Sequence, residues 1–297
     1  MISTLMILLC VAARIVPHPP NLTPVGATAV FAGRTLSLPR AILVTLTAMF
    51  LSDLALAALL LALLALPLAL DRYLLSVMIL ILYFAYVGQA WNVMMGLCGQ
   101  LSLGHALFVG LGAYTAAALY QHFGVNPWLG MLAAVAVCVA VGSFMGWLAF
   151  RFGIGGTYFA LLTIAFAEFT RIGFENFAWV GGTGGFFLKV TQAGHLDLVN
   201  LRGGPLLFYY LALALAVLAF GVSAGLLRGR PGYYFRAIRD NEEAARAAGV
   251  DVLRYKLYAL QISAAMTALA GVFFAFYYNA LFPEQIFHIS RSIEIIL

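Results

Sequence analysis

The chain has 297 residues, 64% of them apolar and only 9% charged, with a mean hydropathy of +1.00 and a formal net charge of +5. A soluble domain carries about 25% charged residues, so a water-soluble globular protein is excluded. The apolar runs are too long for barrel strands, and only helices or closed barrels satisfy the backbone in lipid. The expectation is therefore an all-α, polytopic integral membrane protein with roughly eight membrane helices. The sixteen Lys and Arg sit almost wholly between apolar runs, which is loop charge and gives no reason to expect nucleic acid as a partner.

Apolar runs place spans near 1–16, 41–70, 73–95, 104–121, 127–150, 156–172, 205–227 and 257–281, with a further run starting at Ile289. The first run ends in Arg14 without a small-residue cleavage site, so it is expected to remain in the protein. The run at 41–70 exceeds one upright helix and contains Asp53, which predicts a tilt or a break. Cys10, Cys98 and Cys138 lie in or beside apolar runs without a CxxC pair or a histidine at ligand spacing. They are expected to pack, and no metal site is expected.

The stretch 96-GLCGQLSLGHALFVGLGAYT-115 is unusually polar and glycine-rich for its surroundings. Ser102, Ala106 and Gly110 recur every four residues, which would stack them on one helix face as a small-residue seam. Gly112 and the pair Ala113 and Ala117 continue that character. Gly96, Gly99 and Gly104 favour a bent or re-entrant segment, tolerable only where it is buried in protein or lines water. Gln100, Ser102 and His105 are expected to hydrogen-bond across helices there, with His105 serving either as a structural partner or as a pathway residue.

Glu168 is the one acid well inside a predicted span. It is read either as an ion pair with Arg171, three residues on, or as the proton site of a carrier. The longest loop outside the basic regions, 173–204, contains Trp179, Gly181, Gly182, Thr183, Gly184, Gly185, Lys189, His195 and Asp197. Seven basic residues from Arg228 to Lys256 place the 228–256 segment in the cytoplasm, so the 173–204 loop should face outward. Gly221 to Gly225 match a G-x-S-x-G pattern, but no strand precedes them, so a nucleophile is not expected. A GxxxxGK[ST] phosphate loop is absent, so the chain should not bind ATP in that manner.

Within the basic segment, Pro231 and Gly232 are expected to break the preceding helix. Asp240 or Asn241 can cap a short helix through Glu242, Glu243, Ala244, Ala245 and Arg246. Gly249 then supplies a left-handed end, and Asp251 starts the next helix. Such a helix is too polar to insert and would lie across the cytoplasmic face. Taken alone it could merely fix topology.

The pattern Glu243-Ala244-Ala245 with Gly249 resembles the loop by which ABC import permeases dock on their ATPases. GQLSLGHALFVGLGAYT, together with 155-GGTYFALLTIAFAEFTRI-172, the glycines at 181–185 and 232-GYYFRAIRDNEEAARAAGVDVLRYKLYALQISAAMTALAG-271, is similar to LivM-type permeases of ABC importers for branched-chain amino acids. The resemblance covers about residues 58–297. It implies an ABC importer permease fold with a cytoplasmic coupling helix, in a multi-pass protein of the bacterial inner (plasma) membrane. The implied partners are a LivH-like permease, two cytoplasmic ATP-binding subunits, a periplasmic substrate-binding protein and membrane lipid. The chain would bind no cofactor of its own, and ATP would bind to the partner subunits. Arg239, Asn241, Glu243, Ala244, Ala245 and Gly249 would form the coupling face. Gln100, Ser102, Gly104, His105, Ala106, Gly110 and Glu168 would line or pack the pathway. Urea or amide permeases of the same superfamily, and a proton-coupled secondary transporter, are the alternatives. Residues 1–53 resemble a different bacterial membrane-protein family, so the expected organisation is an atypical N-terminal segment followed by a permease domain at 54–297. Family members continue past the SIEIIL end, so that domain is expected to be short at its C-terminus.

Overall fold

The computed structural model describes residues 61–189 and 200–296, with Leu46, Thr47, Phe50, Leu51, Leu54 and Ala58 beside them. The expectations for Cys10, Asp53, His195 and Asp197 lie outside the described residues. The chain divides into two compact units, Met1–Asp71 and Arg72–Leu297. In the first, residues 61–69 are helical.

The second unit is built almost wholly of helices: α1 (Arg72–Asn92), α2 (His105–Phe123), α3 (Pro127–Arg151), α4 (Gly156–Glu175), α5 (Pro205–Arg228), α6 (Arg230–Asp240), α7 (Glu242–Ala247), α8 (Val252–Tyr278), α9 (Pro283–Ile286) and α10 (Ile289–Ile296). Two short strands, β1 (Phe186–Phe187) and β2 (Ala280–Leu281), pair antiparallel. Among the described residues four helices are long and apolar enough to cross a membrane: Arg72–Leu97, Pro127–Arg151, Pro205–Arg228 and Val252–Tyr278. In α8, 78% of the most apolar window is buried, against 33–39% in the other three, so α8 is the central helix. Leaving Gly, Ala and Ser at its contacts lets neighbouring backbones approach closely, which is how helices associate where lipid is as apolar as leucine.

Local chemistry sets the helix ends. Asn126 caps α3 by accepting from the Trp128 amide at 2.9 Å, with Pro127 in the first turn. Pro205 likewise stands in the first turn of α5, after Gly204 and without a side-chain cap. Asn279 ends α8 in the left-handed region, where asparagine is tolerated better than most residues. The break expected at Pro231 and Gly232 falls instead at Gly229, whose backbone is extended, and Pro231 starts a helix that the sequence reading did not include. It sits in the first turn of α6, where its missing amide costs nothing, and Phe235 and Ile238 are buried beneath it.

The glycine-rich stretch is a genuine break. The α1 helix ends in a π-turn at Val93–Leu97, Gly99 adopts φ +71°, and the backbone runs without helix through Gln100 to Gly104 before α2 begins at His105. Ser102 therefore does not lie on a helix. The expected seam of Ser102, Ala106 and Gly110 is corrected to Ala106 and Gly110 on α2, with Ser102 in the extended approach. The close helix contact runs instead between α2 and α8: a Cβ at Gly112 would meet the Ala268 carbonyl at 2.5 Å, and one at Gly271 would meet the Val109 carbonyl at 2.1 Å.

Gly110 faces something else. After β2 the chain turns back through α9, and the Phe287 ring packs where a Cβ on Gly110 would lie 2.1 Å away. Phe287 also stacks on Tyr114, with ring centroids 5.9 Å apart. A bulky ring against a glycine replaces the helix-on-helix contact that spacing alone suggested.

Candidate functional site

Three groups of residues were expected to carry function, and the fold treats them differently. The α7 helix is short because its ends are fixed by side chains and by one glycine. The Asn241 side chain accepts from the Ala244 amide at 3.0 Å. At the other end Gly249, at φ +84°, donates to the Arg246 carbonyl at 3.0 Å while Val250 donates to that of Ala245, which closes the helix with paired reverse bonds. Asp251 then caps α8 by accepting from the Arg254 amide at 3.1 Å. All three signals were legible in the sequence, since each acts within a few residues.

The faces of α7 are less simple. Glu243, Ala244 and Gly249 are exposed, whereas Ala245 is buried against its own chain. Ala245 therefore cannot meet a partner, and the expected coupling face is corrected at that position. Arg239 stays exposed but leans along its own chain. It donates to the Gly96 carbonyl at 2.8 Å, pairs with Asp240, and packs where a Cβ on Gly99 would lie 2.8 Å from its side chain. It thus ties α6 to the break after α1. The sequence reading missed Lys256 and gave Glu242 no role. Lys256 is 4% exposed, pairs with Glu242 at 2.5 Å, and lies over the Phe150 ring. Glu242 also pairs with Arg246. This cluster locks α7 to α8 and to the end of α3. The available signal was a lysine at the foot of a long apolar run, which could not be sheltered without a counter-charge.

The second group lies at the break. Ser263 Oγ donates to the Ala90 carbonyl at 2.7 Å, so it accepts from His105 Nε2 at 2.8 Å, and His105 carries its proton on Nε2. The break is held on its other side by Thr163, whose hydroxyl donates to Ala160 and accepts from the Leu103 amide at 3.1 Å. Trp91 donates to the Ser102 carbonyl, and the Ala106 amide donates to Ser292 Oγ at 3.0 Å. Gly104 is seated on the Thr163 carbonyl, 2.4 Å from where a Cβ would be. Gln100, Ser102 and His105 are all buried, and Gln100 Oε1, Ser102 Oγ and His105 Nδ1 have no partner. Cys98 is buried beside them, its carbonyl accepting from Gln100 Nε2 at 3.4 Å. Glu168 does not join this group. It is about half exposed on α4 and paired to Arg171 at 2.5 Å, with Glu175 holding the other side of the same guanidinium.

The third group, Gly181 to Gly185, forms a tight corner. Gly181, Gly182 and Gly185 have φ of +88°, +52° and +86°, and a Cβ on Gly181 would lie 2.2 Å from the Gly185 carbonyl. Thr183 and Gly184 are exposed. The corner leads into β1 and so is fastened to β2 at the end of α8. Arg202, also missed by the sequence reading, is buried here over the Tyr120 and Phe276 rings and bonds Asn279 and the Lys189 carbonyl. Among the described residues no group of three His, Cys, Asp or Glu is placed to hold a metal.

Residues 73–297 match the family described as branched-chain amino acid transport system / permease component. The chain is 32% identical over 251 residues to the high-affinity branched-chain amino acid transport system permease protein LivM of Escherichia coli K12, covering 77% of this chain and 59% of that protein. It is 31% identical over 249 residues to the protein of the same name from Salmonella typhimurium LT2, with 77% and 58% covered. It therefore spans about three-fifths of the length of these relatives. No solved structure matches it. With long apolar helices, a broken polar segment and a family match over its whole second unit, this chain belongs to the permease components of branched-chain amino acid transport systems.

Proposed function

We propose that this chain is a membrane-spanning subunit of an ATP-driven importer for branched-chain amino acids, located in the bacterial inner membrane. It forms the translocation pathway with a second, LivH-like permease, takes no cofactor itself, and relies on two cytoplasmic ATP-binding subunits for hydrolysis. A periplasmic binding protein delivers substrate near the glycine corner at 181–185. The observation that carries the reading, beside the family match, is α7: a capped helix that exposes Glu243 and Ala244 while its opposite face is ion-locked to α8. A rigid push on α7 moves α8 through the pair of Glu242 and Lys256. The α8 helix in turn carries Ser263, which holds both His105 and the Ala90 carbonyl beside the break. Motion at the ATPase contact is thereby delivered to the pathway.

The test is co-purification in detergent. The tagged chain, expressed with candidate permease, ATPase and binding-protein subunits, is expected to retain the ATPase. Glu243→Lys is expected to abolish that retention while leaving membrane insertion intact. ATPase retained equally by the variant sinks the coupling role of α7. No ATPase retained by the native sequence sinks the importer reading.

A further inference from the structure

The α8 helix is central to its unit, yet it comes to the surface at its N-terminal end. Of its residues only Arg254, Tyr258 and Tyr278 are exposed, and the first two open onto a groove of about 590 Å³ closed on one side by Pro231 of α6. Neither α7 nor the break lines it. The groove runs from Asp251 to Gln261. Ten residues of helix cover about 15 Å, half the hydrocarbon thickness and so one leaflet.

Its polarity changes along that length. At the foot stand two opposite charges, Asp251 and Arg254, three residues apart and both exposed. Among the described residues no ion pair joins them, and nothing else pairs with the Arg254 guanidinium. Asp251 spends one carboxylate oxygen on the Arg254 amide and keeps acceptor capacity on the other. Next come Leu257 and Tyr258, and the far end is closed by Gln261, whose amide nitrogen is spent on Ser143 Oγ at 2.9 Å. Arg151, which ends α3, lines a neighbouring cavity with Asp251 and marks this level as that of the headgroups, where basic residues gather at span ends.

The order of groups is that of a lipid. An anion stands outermost, a cation about 4.5 Å further in, and an apolar wall with one tyrosine beyond it. An ethanolamine phospholipid presents an ammonium, then across a two-carbon link a phosphate, then its acyl chains. A purely anionic headgroup would set its charge beside Asp251 with no donor for it, and a quaternary choline has no N–H to give.

We propose that this groove holds one ethanolamine phospholipid of the surrounding leaflet. Its phosphate accepts from Arg254, its ammonium donates to Asp251, and an acyl chain lies along Leu257 and Tyr258. The site needs only a membrane around the chain and so stands apart from the importer reading.

In the experiment the full chain, purified in detergent and stripped of lipid, is titrated with phosphatidylethanolamine, and bound lipid is counted by native mass spectrometry. One lipid is expected to bind at least tenfold more tightly than phosphatidylglycerol or phosphatidylcholine. Arg254→Gln should weaken it at least tenfold, and Arg254→Lys should keep part of the affinity. Asp251→Asn retains the helix cap and removes only the charge, so it should lose the preference for phosphatidylethanolamine while the chain stays monodisperse. Arg151→Gln removes a charge at the same level without touching the groove and should change nothing. Glycerophosphoethanolamine, the headgroup without acyl chains, should compete at least tenfold less well. Absence of a saturable lipid overturns the site, and so does equal weakening by Arg151→Gln and Arg254→Gln, which reduces the effect to general surface charge. Equal competition by the acyl-free headgroup overturns the lipid in favour of a free phosphate ester. An unchanged preference in Asp251→Asn overturns the ethanolamine assignment.

Discussion

Gly271→Ala is the sharpest probe of the packing that positions the break. The added Cβ would lie 2.1 Å from the Val109 carbonyl and 2.9 Å from the Ala113 amide nitrogen, both of them backbone on α2. Neither can rotate away, so α2 and α8 must separate by roughly 1 Å, a gap that forfeits a quarter to a half of each dispersion contact along the seam. Overpacking of this kind costs about 1–3 kcal/mol or more, against which alanine's better helix propensity returns at most about 1 kcal/mol. A net loss of about 2 kcal/mol is expected, which lowers Tm by roughly 4–8 °C on the scale of a chain this size. Gly221→Ala is the matched control. It lies in α5 with nothing within 4 Å of the added carbon, so the same propensity gain should raise Tm slightly. The assay is thermal unfolding of the detergent-purified chain followed by size exclusion. A Tm for Gly271→Ala equal to or above that of the native protein would refute the close α2–α8 contact.

Three further outcomes follow from the same geometry. Glu242→Gln strips the counter-charge from the buried Lys256 and should cost about 2 kcal/mol, below the 3–5 kcal/mol of a fully buried pair because Glu242 is partly exposed. Adding Lys256→Met should recover part of that loss, and a double-mutant cycle on Tm that gives strictly additive effects would argue against the lock. Gly249→Pro removes the amide that donates to Arg246 and cannot adopt φ +84°, so substrate-stimulated ATPase activity should fall at least tenfold with insertion unchanged; normal stimulation would remove the α7 end from the coupling path. Gly110→Leu drives a side chain into the Phe287 ring and should lower the yield of assembled complex, so an unchanged yield on size exclusion would contradict that contact.

What the sequence by itself determined is what acts over a few residues or through bulk composition. Membrane class follows from length and apolarity, because the hydrocarbon thickness fixes how long a run must be. The α7 helix was legible because Asn241, Gly249 and Asp251 each satisfy or release a backbone group within four residues of themselves. The glycines before His105 announced a break for the same reason: φ +71° at Gly99 is a local property of a residue without Cβ. The tertiary structure decided which face each residue uses. Four-residue spacing could not tell that Ser102 precedes the helix, that Gly110 meets a phenylalanine, or that Ala245 looks inward. His105 with Ser263 and the Ala106 amide with Ser292 join residues more than 150 positions apart, and no local periodicity encodes such pairs. Lys256 and Arg202 carried no signal beyond their charge, because a buried cation is explained only by the anion or ring that the fold brings to it.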